Sequence, residues 1–272
     1  MLISIITPVF NGEAYIQTCI SNVIKQNCSN IEHVIIDGES RDKTVEIVKS
    51  FANRYPHIRW ISEKDNGQSD AMNKGIQMAK GEIIGFLNSD DLYEPGTLNR
   101  ISELFKSLPE PSLLVGNCNV WGPEGEFLYI NRPSRLTFFD LVSGRPFPVN
   151  PSAYFYHKSL HQKTGFYDIH DSHSMDLDFL LRAVQHANTV FVDESWGNFR
   201  MVKNSKTQKE TEQDLTFEHM KTVLAKYRKN LPLLQRIHSR GNFIIIEAGR
   251  LGLKIFRRFH IETKLLTDKI NH

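Results

Sequence analysis

Cysteine is scarce in this 272-residue chain: Cys19, Cys28 and Cys118 stand far apart, odd in number and without a CxxC pair. That pattern excludes a disulfide framework and a thiolate zinc site, and it fits reduced thiols. An excess of one charge is also lacking, since 33 Lys and Arg face 31 Asp and Glu for a net +2. Nucleic-acid binding usually needs a strongly basic surface, so no nucleic-acid partner is expected. No apolar run approaches the roughly 20 residues that cross a bilayer, so no spanning helix is expected. Met1 runs into Leu-Ile-Ser-Ile-Ile-Thr-Pro without a basic leader or a small-residue cleavage site, which reads as a strand and sets the expectation of a cytoplasmic active site. The first strand is followed by Asn11-Gly12-Glu13 rather than by a glycine-rich phosphate loop with a basic residue, which argues against a nucleotidyltransferase. Internal repeats and low-complexity tracts are absent as well.

What is present is alternation. Leu2 to Val9, Ile31 to Asp37, Ile58 to Ser62 and Glu82 to Leu87 read as strands with helical stretches between them. That order predicts an α/β fold with a mainly parallel sheet covered by helices on both faces. Glu13 to Gln26 places Ile16, Ile20, Val23 and Ile24 on one helical face, and Gly81 ends the helix carrying Ala71, Ile76 and Ala79. In such sheets ligands collect beyond the carboxyl ends of the strands. Thr7, Asp37 with Gly38, Glu63 to Asn66, and Asn88 to Asp91 all fall at that edge.

From about Leu113 the pattern turns to mixed strands, Leu113 to Trp121, Phe127 to Ile130, Ala153 to His157 and Val190 to Glu194, with a helix starting near Met175. Asn131 to Pro151, rich in Pro, Gly and Arg, reads as a functional loop. Residues 203–214 are polar and read as a connector. The expected division is a catalytic domain over residues 1–210 and a helical appendage over residues 211–272. In that appendage Ile244, Ala248, Leu251, Ile255 and Phe259 share a helical face beside Arg250, Lys254, Arg257 and Arg258. A basic amphipathic helix of this kind lies in a membrane interface, here over residues 242–259, or else packs on the core or on a second copy in a homo-oligomer.

Chemistry is concentrated in Asn88-Ser89-Asp90-Asp91, where an apolar strand delivers two carboxylates to a turn at the ligand edge. Mg²⁺ and Mn²⁺ take oxygen ligands, commonly one or two carboxylates completed by substrate phosphates. Asp is equally a helix cap, and Asp65-Asn66-Gly67 is turn chemistry in its own right, so each residue alone leaves a structural role open.

Four ordered segments resemble the family-two inverting glycosyltransferases of the GT-A fold: Thr7-Pro8-Val9-Phe10-Asn11-Gly12, Ile35-Ile36-Asp37-Gly38-Glu39-Ser40, Glu63-Lys64-Asp65-Asn66-Gly67-Gln68-Ser69-Asp70 and Leu87-Asn88-Ser89-Asp90-Asp91. The resemblance implies a GT-A nucleotide-sugar-binding sheet and a donor site containing Thr7, Pro8, Phe10, Asp37, Asp65, Asn88 and Ser89. Asp90 and Asp91 would bind the Mn²⁺ or Mg²⁺ that bridges the diphosphate. Asn88 stands where the family usually has an Asp. Ser174-Met175-Asp176-Leu177-Asp178 resembles the family's Glu-Asp-x-Asp helix start, with Met175 in place of Glu and Asp176 at the catalytic base. Asn150, Ser152 and Asp178 fall on the acceptor side by the same resemblance. Arg200 and Lys203 fall in the segment that closes over the diphosphate, where Val202 replaces a common His. The implied activity is metal-dependent, inverting transfer of a hexose or N-acetylhexosamine from a UDP-type donor to a hydroxyl of a glycan or lipid-linked acceptor, in surface polysaccharide synthesis. Met175 in place of Glu, Asn88 in place of Asp and Val202 in place of His set beside it an inactive nucleotide-sugar-binding or scaffold protein.

Overall fold

The computed structural model describes residues 1–170, 174–202 and 215–242. Nine strands form one sheet in the order β3-β2-β1-β4-β8-β6-β9-β5, with β7 added beside β6. The strands are β1 Ile3–Val9, β2 Ile31–Asp37, β3 Ile58–Ser62, β4 Ile83–Phe86, β5 Leu92–Tyr93, β6 Ser112–Trp121, β7 Phe127–Asn131, β8 Tyr154–His157 and β9 Asn188–Arg200. β1 to β4 run parallel, with Ile3 opposite both Ile31 and Ile83, and β6 runs parallel to β9. Because β8 is antiparallel to both β4 and β6, the two parallel blocks point the same way. Their carboxyl ends therefore meet at one edge.

Apolar runs explain the centre of this sheet. Every residue of β1 and β2 is buried, as parallel strands covered on both faces require. Alternation then sorts the two faces. Ile3, Ile5 and Val9 face the helices α1 Ile16–Lys25, α2 Thr44–Ala52 and α4 Thr97–Phe105, whereas Ile6, Val34 and Ile36 face α3 Gln68–Met78 and α7 Met175–Ala183. α1 buries Ile16, Cys19, Ile20 and Val23, the spacing of one helical stripe. α3 lies unusually close to the sheet: a Cβ on Gly75 would fall 2.3 Å from Cγ2 of Ile6. Only glycine fits at that crossing.

Several elements differ from the sequence expectation. β9 extends to Arg200, well past Glu194, because its far half pairs with Asn117 to Trp121 after a register shift. β5 is a two-residue strand that pairing with Asn198 and Gly197 creates, and no periodicity marks it. The expected loop from Asn131 to Pro151 contains a helix, α5 Phe138–Val142, capped by Thr137 and burying Leu141 and Val142. A short α6 follows at His161–Thr164. Residues 203–214 and 243–272, including Lys203 and the amphipathic segment from Ile244 to Phe259, lie outside the described residues. The start of the appendage, α8 Leu215–Arg228, does not stand apart: Phe217 and Leu224 are buried in the same cluster as Phe179 and Leu181. Residues 233–242 form a further helix, α9.

At the opposite, amino-terminal edge, buried Glu32 accepts hydrogen bonds from Ser4 Oγ (2.6 Å), Arg59 Nη1 (2.8 Å) and the Gly81 N–H (3.2 Å), as well as from the Lys80 N–H. Burial opposes its ionisation, but the Ser4, Arg59 and Lys80 donors outweigh that and hold its carboxyl below the ordinary value. The group therefore stabilises the fold above its unfolded pKa, and this contribution is lost as pH falls through the lower folded value. Glu32→Gln is expected to lower unfolding free energy by roughly 1–3 kcal/mol at neutral pH, with the difference shrinking below about pH 4. Denaturant titrations of both proteins at several pH values measure it, and a pH-independent difference contradicts this account.

Candidate active site at the carboxyl edge of the sheet

The turn after β4 is built around Asp91. Its side chain is buried and accepts from Asn150 Nδ2 (2.7 Å), Asn88 Nδ2 (3.0 Å) and the Arg200 N–H (3.0 Å). Burial, and then the charge of Asp90, push its carboxyl up to about 7 despite those donors. Asp90 is also raised by burial, with Arg200 only partly offsetting it. Arg200 donates through Nε to the Asp90 carbonyl, its guanidinium lies 5.9 Å from the Tyr15 ring centre, and its buried Nη2 finds no partner among the described residues. Two carboxylates raised by burial, one of them without a side-chain donor among the described residues, make a setting that a divalent cation relieves. No group of three or more His, Cys, Asp or Glu among the described residues gathers as a metal cage. This donor set fits a metal that takes its remaining ligands from phosphate and water, as Mg²⁺ commonly does.

The neighbouring strand ends form the second wall. Asp37, 1% exposed, accepts from the Ser40 N–H (3.0 Å) and Ser62 Oγ (2.6 Å) through one oxygen, while its other oxygen is buried without a partner among the described residues. Asp65 reaches across the same turn: a Cβ on Gly38 would fall 2.5 Å from its Oδ2, so glycine there leaves room for that carboxylate. Its Oδ1 accepts the Gly67 N–H at 2.9 Å. Asn11 and Glu39 hold left-handed backbone at φ 49° and 66°, and the Asn11 N–H donates to Ser40 Oγ at 2.7 Å, which clamps the first two strand-end loops together. Phe10 is 61% exposed beside them.

Thr7 departs from expectation. Its side chain is fully buried on the α1 face, with Oγ1 2.9 Å from His33 Nε2, so alternation along β1 turns it away from the open edge. Pro8 is buried too, and Ser89 is half-buried near Gly12.

The helix start in the second half reaches this edge through α3. Gln68 Nε2 donates to Asn88 Oδ1 at 3.1 Å, and the next residue, Ser69, places Oγ 3.1 Å from Met175 Sδ. Asp176, one residue on, accepts from Tyr154 OH at 2.7 Å and stays half-exposed. The amino end of α3 thus ties the acidic turn to the candidate base. The sequence alone gives Gln68, Tyr15 and Tyr154 no role, because their partners are supplied by segments distant in the chain.

Three residues expected on the acceptor side are not presented there. Asn150 is 2% exposed; it supports Asp91 and caps the short turn Pro151–Ala153 by accepting from the Ser152 N–H and Oγ. Ser152 is fully buried under Gly197. Asp178 points to the appendage, accepting from Tyr227 OH (2.8 Å), Arg182 Nε (2.9 Å) and Lys226 Nζ (3.3 Å). Their polar atoms are consumed by internal partners, and only tertiary structure reveals that.

With this geometry in place, the sequence and fold comparisons agree. Residues 4–110 match the model of Glycosyl transferase family 2. The uncharacterized glycosyltransferase EpsJ of Bacillus subtilis is 36% identical over 102 residues, 38% of this chain and 30% of that protein. A PGL/p-HBAD biosynthesis glycosyltransferase of Mycobacterium bovis is 39% identical over 116 residues, 42% of this chain and 45% of that protein. The chain thus spans under half the length of these curated relatives. S. aureus TarS 1-349 superposes with a TM-score of 0.67 at 19% identity, covering 90% of this chain and 71% of that one. The mannosyltransferase PcManGT of Pyrobaculum calidifontis, in complex with GDP-Man and Mn²⁺, gives 0.64 at 14% identity, covering 88% and 68%. The architecture is that of GT-A glycosyltransferases. Over residues 4–110 the chain is thus similar to glycosyltransferase family 2.

The Asp178 cluster generates a test of the appendage. Burial opposes its ionisation, yet Tyr227, Arg182 and Lys226 hold its carboxyl below the ordinary range. Asp178→Ala is expected to cost roughly 2–3 kcal/mol, below the value for fully buried pairs because the Lys226 side chain is 67% exposed. Limited proteolysis should then cut near α8 before the core, and an unchanged digestion pattern contradicts the docking role.

Proposed function

We propose that the chain transfers a hexose or N-acetylhexosamine, with inversion, from a UDP-type nucleotide sugar to a hydroxyl of a glycan or lipid-linked acceptor, in the synthesis of a surface polysaccharide. The observation that carries this reading is the contact path from Asn88 through Gln68 and Ser69 to Met175, which sets Asp176 beside the acidic turn. The resemblance to a fold whose solved members hold UDP-GlcNAc or GDP-Man with Mn²⁺ supports it.

The unpartnered oxygen of Asp37, with Asp65 and exposed Phe10, suits a nucleoside: carboxylates accept its N–H and O–H donors while the ring covers an apolar face. Asp90 would hold the Mn²⁺ or Mg²⁺, with Asp91 orienting the turn from behind. When bound, the ion supplies positive charge to the leaving diphosphate. Arg200, with its unpartnered Nη2, adds charge-assisted donors on the same side. Asp176 accepts the acceptor's proton as that oxygen forms its bond to the anomeric carbon. The bond to the diphosphate oxygen breaks with its electron pair, and inversion follows from attack on the opposite face.

The alternative, a binding protein without turnover, draws on Met175, which stands where the family resemblance implies Glu and whose Sδ accepts from Ser69 Oγ. Asp176→Asn separates the two. Transfer from UDP-GlcNAc to a glycan acceptor should fall about 10²–10⁴-fold while donor affinity survives. Asp90→Ala should instead remove the Mn²⁺-dependent part of donor binding in calorimetry. Near-wild-type turnover of Asp176→Asn overturns the base assignment, and a wild type inert across donors and acceptors favours the binding protein.

A peripheral contact with the inner face of the membrane belongs to the same reading. Leu233, Leu234 and Ile237 on α9 are 69%, 82% and 59% exposed, and residues 229–272 hold nine Lys and Arg against three Asp and Glu. No helix among the described residues is long and apolar enough to cross a membrane. Leu234→Glu with Ile237→Glu should reduce sedimentation with anionic vesicles, and salt should weaken binding of the parent chain. Equal sedimentation of the two proteins returns α9 to a packing role.

A further inference from the structure

Behind Asp176 lies a pair of phenols, Tyr154 and Tyr167. Tyr154 is completely buried and donates to Asp176 Oδ1 at 2.7 Å. An ionised carboxylate has no hydrogen to return, so the single phenolic hydrogen of Tyr154 is committed there. At the 3.4 Å contact between the two hydroxyls, Tyr167 must therefore be the donor. Both rings are fixed. Tyr154 stacks on Phe179 at 6.4 Å, and Tyr167 packs on Phe179 at 4.9 Å and edge-on to Phe86 at 5.9 Å. Asn73 grips the Tyr167 backbone in both directions, accepting its N–H and donating to its carbonyl, each at 2.9 Å. Burial pushes both phenols well above their ordinary values, so they remain protonated donors at any working pH.

We propose that Tyr154, supported by Tyr167, is the positioning residue of Asp176: its hydroxyl fixes the plane of the carboxylate and favours the ionised form that receives the acceptor's proton. The inference rests on the reading of Asp176 as the base. Hydrogen bonds that polarise one another in a low-dielectric surrounding strengthen cooperatively, so the second phenol reinforces the first. The titratable groups facing Asp176 among the described residues are Tyr154 and Tyr156 from β8 and Tyr167 from the loop before α7. On its own helix, Asp178 and Arg182 are paired to each other at 2.9 Å. His161 on α6 is pulled down to about 4, mainly by burial, and so sits neutral against Tyr156.

Removing a donor to the ionised form raises a carboxyl pKa. Protein labelled with carbon-13 at the Asp carboxyls, with the Asp176 signal identified by its loss in Asp176→Asn, measures the titration without any substrate. Tyr154→Phe is expected to raise the Asp176 midpoint by about one pH unit, a roughly tenfold change in proton affinity, and Tyr167→Phe by less in the same direction. An unchanged midpoint in folded Tyr154→Phe overturns the proposal, as does a fall in melting temperature with the midpoint unmoved. If Tyr154→Phe does not fold, the Tyr167→Phe midpoint decides in the same way. Failure of the base reading shows separately, as transfer that persists in Asp176→Asn whatever the titration gives.

Discussion

The buried carboxylate of Asp91 is the constraint on which the candidate site depends. It joins the turn after β4 to Asn150, 59 residues away, and to the backbone of Arg200, 109 residues away. A carboxylate in that position cannot be left without donors, because an unpaired buried charge costs several kcal/mol. Each donor therefore fixes a segment that local sequence leaves free. The Asn150 amide anchors the end of the long excursion after β7, and the Arg200 N–H fixes the end of β9. The price of burying charge here is visible in the raised carboxyls of Asp90 and Asp91, a tension that a cation would discharge.

The amino end of α3 has a comparable role on the other side. Its backbone reaches the sheet closely enough that Gly75 must lack a side chain, and that proximity sets where Gln68 and Ser69 fall. Through them the acidic turn and the start of α7 share one edge. The phenols behind Asp176 then come from β8 and the loop before α7, so the candidate base is held by packing rather than by its own helix.

The appendage continues this integration. Asp178, two residues beyond the candidate base, receives α8 through Tyr227 and Lys226. Arg228 and Ser239 both donate to the carbonyl of Val142 at the end of α5. A surface on α9 is thereby coupled through rigid contacts to the loop that delivers Asn150 to Asp91.

The sequence alone determined the parallel half of the sheet, because residues buried on both faces must form uninterrupted apolar runs and the runs of β1 and β2 are complete. It also located Asp37, Asp65, Asp90 and Asp176 at strand or helix ends, where motif and geometry coincide. It did not show that Thr7, Asn150, Ser152 and Asp178 direct their polar groups to internal partners 2 to 59 residues distant. Nor did it reveal β5, α5 or the role of Tyr154. Those features exist only once long-range pairing has closed, since a hydrogen bond between segments far apart in sequence leaves no periodic mark on either one, and tertiary structure alone decides which side of a strand or helix each polar group faces.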